Sequence, residues 1–261
     1  MSKNTVLTAI ISLAIMVCNP GLSIGADSSP RSGKTLGEAK ILGNGVAWSW
    51  VENNSEGNPI ALGITFSETA LSGLPENLPS DAPGWEYELP MPKEAKVAPY
   101  NHIVMNWNPH GHIPPGIYDV PHFDFHLYMI TPRERKNITA KGDDIARLNK
   151  KPPARYVPTG YILPDGTQEA RMGSHWIDPS APEFNQQPFT RTFIYGSYNG
   201  MVTFIEPMIT KAFLESRQDV TESIKQPEAF QKPGYYPTQY SVKYDPVRKE
   251  YTVAVEGLIF R

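Results

Sequence analysis

The chain has 261 residues, with 24 Lys and Arg against 27 Asp and Glu and a net charge of −3. The charge is mixed along the chain with no basic stripe, which excludes nucleic acid and anionic membrane as natural partners. Twenty-six prolines and a single cysteine point away from long helices and from a disulfide framework, towards strands joined by rigid loops around a hydrophobic core.

The N-terminus, Met1-Ser2-Lys3-Asn4 followed by an almost wholly apolar run from Thr5 to Val17, has the form of a secretory signal peptide. The run is too short for a spanning helix, which needs roughly 20 apolar residues, and Asn19, Pro20 and Gly21 break it. The expected signal covers residues 1–26. Cys18 would leave with it, and Ile15-Met16-Val17 lack the small side chains a lipidated cysteine needs upstream, which disfavours a lipoprotein. Removing Lys3 and no acid takes the net charge from −3 to −4. Export of about 235 residues without disulfides fits a bacterial periplasm or exterior, with no stable membrane insertion after cleavage.

Residues 27–40 are small and polar and read as a flexible leader. Residues 41–261 read as a single β-rich domain. A strand is expected over Val46–Val51, a long turn at Asn53–Pro59, and a second strand over Ile60–Phe66. Ser67–Leu71 suits one helical turn. The proline- and acid-rich stretch 75–100 reads as surface chain, and strands follow at His102–Trp107 and His122–Ile130. Thr131 and Pro132 suit the start of a short helix, and Ile145–Asn149 another. Tyr161–Leu163 and Thr167 onward read as a strand, turn and strand. Thr190–Tyr195 and Met201–Glu206 read as strands, Met208–Ser216 as helix, and Gln239–Tyr244 and Tyr251–Phe260 as closing strands. The expected fold is an antiparallel β-barrel or sandwich with two or three short helices.

Five of the six histidines fall between His102 and His126; the sixth is His175. In His122-Phe123-Asp124-Phe125-His126, strand alternation puts His122, Asp124 and His126 on one face and Phe123, Phe125 and Leu127 on the other. Lysine or glutamate would suit a solvated face better than histidine, whereas imidazole and carboxylate are donors for a first-row metal. Residues at i and i+2 lie ~7 Å apart and residues at i and i+4 ~13 Å apart. His122 and His126 therefore do not share one ion on a straight strand. Either one histidine pairs with Asp124, or the strand bends, or Asp124 orients a histidine from behind. His110 and His112, flanking Gly111, are a second His-x-His pair in the loop before, where the glycine permits close approach. His175 is a distant candidate ligand and Glu206 a weaker additional acid, while His102, alternating with Val104, reads as structural. No phosphate-binding glycine loop, Gly-x-Ser-x-Gly elbow or His-Glu-x-x-His helix competes.

The segments Asn106-Trp107-Asn108-Pro109-His110-Gly111-His112 and Pro121-His122-Phe123-Asp124-Phe125-His126 resemble the signature of a bacterial family of exported domains of unknown function, typified by a Thermus protein. The likeness extends over residues 41 to 261, including Gly173-Ser174-His175-Trp176 and Phe204-Ile205-Glu206-Pro207-Met208. It implies a β-rich domain that assembles into a ring-like homo-oligomer, and it supplies no reaction. Cupins also carry His-x-His on a barrel strand, but their following glutamate and regular glycine spacing are missing here. Two readings stand. One is an exported β-barrel-like domain holding a divalent metal (zinc, iron or manganese) through its His/Asp cluster, with catalysis left open. The other is a metal-free small-ligand-binding or structural envelope protein.

Overall fold

The computed structural model describes residues 33–78, 84–95 and 97–261. The expected signal peptide, residues 1–26, and the first part of the expected leader lie outside the described residues. In chain order the strands are β1 (Lys34–Leu36), β2 (Lys40–Leu42), β3 (Gly45–Asn53), β4 (Pro59–Ser67), β5 (Trp85–Pro90), β6 (His102–Asn108), β7 (His122–Tyr128) and β8 (Gln168–Glu169). They continue as β9 (Gly173–Trp176), β10 (Arg191–Tyr198), β11 (Met201–Thr210), β12 (Val220–Ser223), β13 (Tyr235–Tyr236), β14 (Gln239–Asp245), β15 (Glu250–Glu256) and β16 (Ile259–Phe260). Three short α-helices punctuate them: α1 (Pro132–Lys136), α2 (Asp144–Leu148) and α3 (Lys211–Glu215).

The strands form two seven-stranded antiparallel sheets and one small pair, β13 with β16. The first sheet runs β1-β3-β4-β15-β14-β12, with β2 also on β3; the second runs β5-β6-β7-β11-β10-β9-β8. They lie sandwich-like, and the second curls into a half-barrel. The main core fills the space between them. Phe66 of β4 meets Phe123 and Phe125 of β7 at ring distances of 6.3 and 6.4 Å. Leu62 and Ile64 from the first sheet join Ile103, Met105, Ile205 and Ile209 from the second. Every residue of β6 and of β7 is buried. One face of each strand is committed to the inter-sheet core, and the other, the polar one, lies under the loops that close the half-barrel.

Local rules account for many element ends. Thr131 caps α1: its Oγ1 accepts from the Glu134 backbone N–H, and Glu134 Oε2 accepts from the Thr131 N–H at 2.8 Å. Five expectations are corrected. Part of the expected flexible leader is strand, because β1 pairs with β3, Lys34 opposite Glu52. The expected surface stretch 75–100 contains β5, whose Leu89 is fully buried and whose register pairs Leu89 with Ile103. Met208 and Ile209 are strand, not helix: they pair with Asp124 and Phe123, and the chain turns helical only after Thr210. The closing strand Tyr251–Phe260 is broken at Gly257, which has φ of +63° and releases Ile259 and Phe260 to pair with β13. Of Tyr161–Leu163, only Ile162 pairs, in a single bridge to Ile177.

Candidate metal centre

The site is built on the inner face of the half-barrel. Along β7, His122, Asp124 and His126 point to this face while Phe123 and Phe125 fill the core, as the alternation requires. On β6, Asn108 is opposite His122 and Asn106 opposite Asp124. On the other side, β11 places Met208 opposite Asp124 and Ile205 opposite Leu127, which sets Glu206 across from His126. His175 comes from β9, and His112 descends from the loop between β6 and β7.

Two separate three-residue groups result, each able to hold a metal ion: His112, His122 and Asp124; and His126, His175 and Glu206. The strand rise explains the split. His122 and His126 are too far apart for one ion, so each recruits different partners. His110 joins neither group and is exposed. Gly111 between the two loop histidines has φ of +68°, and a Cβ there would come within 2.0 Å of the Tyr118 carbonyl oxygen. That tight turn brings His112 inward and leaves His110 outside. His102, in β6, also stands apart from both groups, stacked on Tyr128 at 4.9 Å.

In the first group, the ring tautomers are set by backbone carbonyls. His122 Nδ1 lies 2.7 Å from the Val120 carbonyl oxygen and His112 Nδ1 lies 2.8 Å from that of Ile113. A carbonyl only accepts, so each Nδ1 carries a proton; Nε2 of a neutral ring then presents a lone pair, while a protonated His112 would donate its Nε2–H to His122 or Asp124. The two Nε2 atoms sit 3.0 Å apart. His122 Nε2 is 3.1 Å from Asp124 Oδ1, and His112 Nε2 is 3.5 Å from Asp124 Oδ2. Asn108 Nδ2 donates to that same Oδ2 at 2.7 Å, fixing the carboxylate plane. Burial pushes the Asp124 carboxyl up, but the adjoining His122 and His112 imidazoles outweigh it and hold the carboxyl well below its usual range. Burial likewise works against a charge on His112, yet Asp124 and the Ile113 carbonyl together raise its pKa.

The second group is drier. His126 is fully buried, and among the described residues neither of its ring nitrogens nor Glu206 Oε2 has a hydrogen-bond partner. His126 Nε2 is 3.5 Å from Glu206 Oε1, and His175 Nε2 is 3.8 Å from Oε2. His175 Nδ1 is tied to the Thr167 carbonyl at 2.7 Å. Burial lowers both imidazoles, His126 well below its ordinary value and His175 to about 4. Burial and the charge of Asp124 push the Glu206 carboxyl well up.

Both groups face one cavity of about 420 Å³. Its floor is polar, with His112, Asp124, His175 and Glu206; its walls are largely apolar, including Tyr118, Ile113, Met172 and Met208. That volume lies in the usual range for a small-molecule site. Sequence reasoning ranked Glu206 last among the ligands, though it is the only carboxylate of the second group. It did not single out Asn106 and Asn108 as site residues. Their signal was available: polar side chains at alternate positions of a strand whose intervening residues, Met105 and Trp107, are core.

The chain is similar to a Thermus-typified family of unknown function: the family described as TTHB210-like, for the hypothetical protein TTHB210, matches residues 54–107. The matched stretch runs from the turn before β4 to Trp107 of β6 and stops short of both three-residue groups. No curated protein and no solved structure matches the chain.

Proposed function

We propose that this is an exported metalloprotein that holds a divalent transition-metal ion through His112, His122 and Asp124 on the floor of its cavity. The carrying observation is the convergence of the two Nε2 atoms, 3.0 Å apart, on the Asp124 carboxylate, His122 at 3.1 Å from Oδ1 and His112 at 3.5 Å from Oδ2, with both Nδ1 atoms anchored on backbone carbonyls. Two imidazole lone pairs 3.0 Å apart repel unless a proton or a cation lies between them. A tetrahedral ion with nitrogen ligands at ~2.0–2.1 Å puts those nitrogens ~3.3 Å from each other, close to the spacing found. The carbonyl-anchored imidazoles and the Asn108-held carboxylate are the outer support that ligand sets use.

Two histidines and one carboxylate suit zinc, iron or manganese. Three protein ligands would leave a coordination position open, and His112 and Asp124 line the cavity. That arrangement supports an ion that meets a small molecule and polarises it or a bound water. The apolar walls favour a ligand with an apolar body and a polar head. Export is supported by the Met1–Ala26 pattern.

The test is elemental analysis of the chain purified without a His-tag, beside His122→Ala and the near-isosteric Asp124→Asn. The expected result is stoichiometric metal in the wild type and a loss of about one equivalent in each variant. Equal, sub-stoichiometric metal in all three would remove the ion and leave the metal-free binding protein.

A further inference from the structure

We propose that His126, His175 and Glu206 form a second divalent-cation site, so that the cavity floor carries two ions side by side. The second site stands on its own geometry; the two-ion floor rests also on the first-site reading.

Three observations converge on it. First, the fold brings the residues together from three strands. Glu206 lies across from His126 on the neighbouring strand, by the same register that pairs Met208 with Asp124. His175 pairs with Gly196 of β10, whose missing side chain makes room for the Phe204 ring of β11, packed on His175 at 5.3 Å. Gly173, with φ of +123°, lets the start of β9 pass against the Ser197 carbonyl, where a Cβ would come within 2.5 Å. Second, the donor atoms lack other employment. Among the described residues, both His126 nitrogens and Glu206 Oε2 are buried without hydrogen-bond partners, and such groups are costly and uncommon in folded proteins. A proton on the carboxyl satisfies one nitrogen lone pair and leaves the other imidazole unsatisfied. A cation takes one lone pair from each of the three side chains at once, and leaves only the other His126 nitrogen without a partner. Third, His175 is oriented as the first group's histidines are, with Nδ1 on a carbonyl and Nε2 aimed at the carboxylate.

The class of ligand is again a divalent transition metal. The set repeats the two-imidazole, one-carboxylate composition of the first group, and Glu206 and His175 open on the same cavity.

The experiment counts ions. The full chain, stripped with chelator and free of tags, is titrated with Zn²⁺ and with Mn²⁺ by calorimetry, and retained metal is measured after gel filtration. Two equivalents are expected in the wild type. Glu206→Gln and His175→Ala should each retain one, and His122→Ala should retain the other. One equivalent in the wild type, lost in His122→Ala and kept in the other two variants, would overturn the second site and leave the first standing. One equivalent lost in all of them would mean a single shared ion and overturn it as well. No bound metal at all would remove both. Should a variant fail to fold, the wild-type count alone still separates two ions from one.

Discussion

Histidines of the same half-barrel meet opposite fates according to what faces their nitrogens. His112, His122 and His175 each have Nδ1 on a carbonyl and Nε2 near a carboxylate. His102 has no carboxylate in reach of its ring; it is 3% exposed and stacked on Tyr128. Burial, with a smaller push from Arg135, lowers its pKa to about 4. The unfolded chain protonates this side chain near 6.5. Between about 6.5 and 4 the unfolded state therefore binds a proton that the folded state refuses, and stability falls as pH drops through that window. His102→Phe keeps the ring stack and removes the titration. Urea unfolding of the metal-free protein at pH 7 and pH 4.5 should show the variant losing less stability than the wild type on acidification. Parallel losses in the two proteins would mean His102 is protonated in the fold.

Single strands explain both what could be read in advance and what could not. The alternation in His122–Leu127 was enough to assign a polar face and a core face, because period-two patterning is a property of the strand alone. The i to i+4 distance was enough to deny His122 and His126 a common ion. What alternation cannot give is the neighbour: Glu206 reaches His126 through the β7–β11 register, and His175 through a third strand. These pairings are set by non-local packing. Strand β5 was missed because its flanks, rich in proline and acid, carry loop composition, while its own signal is short: Trp85, Tyr87 and Leu89. Its polar face also has a specific task. Glu86 accepts from Arg135 at 2.6 Å and from Arg171 at 3.0 Å, and Arg135 is 2% exposed against the Tyr128 ring. Removing the carboxylate leaves a buried guanidinium uncompensated, a loss of about 3 kcal/mol, at the lower end of the usual cost because Glu86 is 22% exposed. Denaturant unfolding of Glu86→Ala should show that loss. A midpoint within error of the wild type would mean that water replaces the carboxylate and the pair contributes nothing.

At the scale of the molecule, the described residues contain no cysteine, so no disulfide among them holds the sandwich and its core must. The two groups draw on the β6–β7 loop, β7, β9 and β11, spanning His112 to Glu206. An ion in the first group would tie the β6–β7 loop to β7, and one in the second would tie β7, β9 and β11 from His126 to Glu206; each would bind the folded chain because the unfolded chain does not present the set. At a free concentration a hundredfold above its Kd, one such ion stabilises the fold by ~2.7 kcal/mol. For a domain of this length each kcal/mol moves Tm by ~2–4 °C. Saturating Zn²⁺ or Mn²⁺ should therefore raise the melting temperature of chelator-treated protein by roughly 5–10 °C per site, and chelator should reverse the gain. Reductant should change nothing, since no disulfide within the described residues can contribute. His122→Ala should lose the first site's share of the shift. A melting temperature indifferent to metal would mean that the two groups are held by protons and packing alone, and that the cavity floor is a structural network.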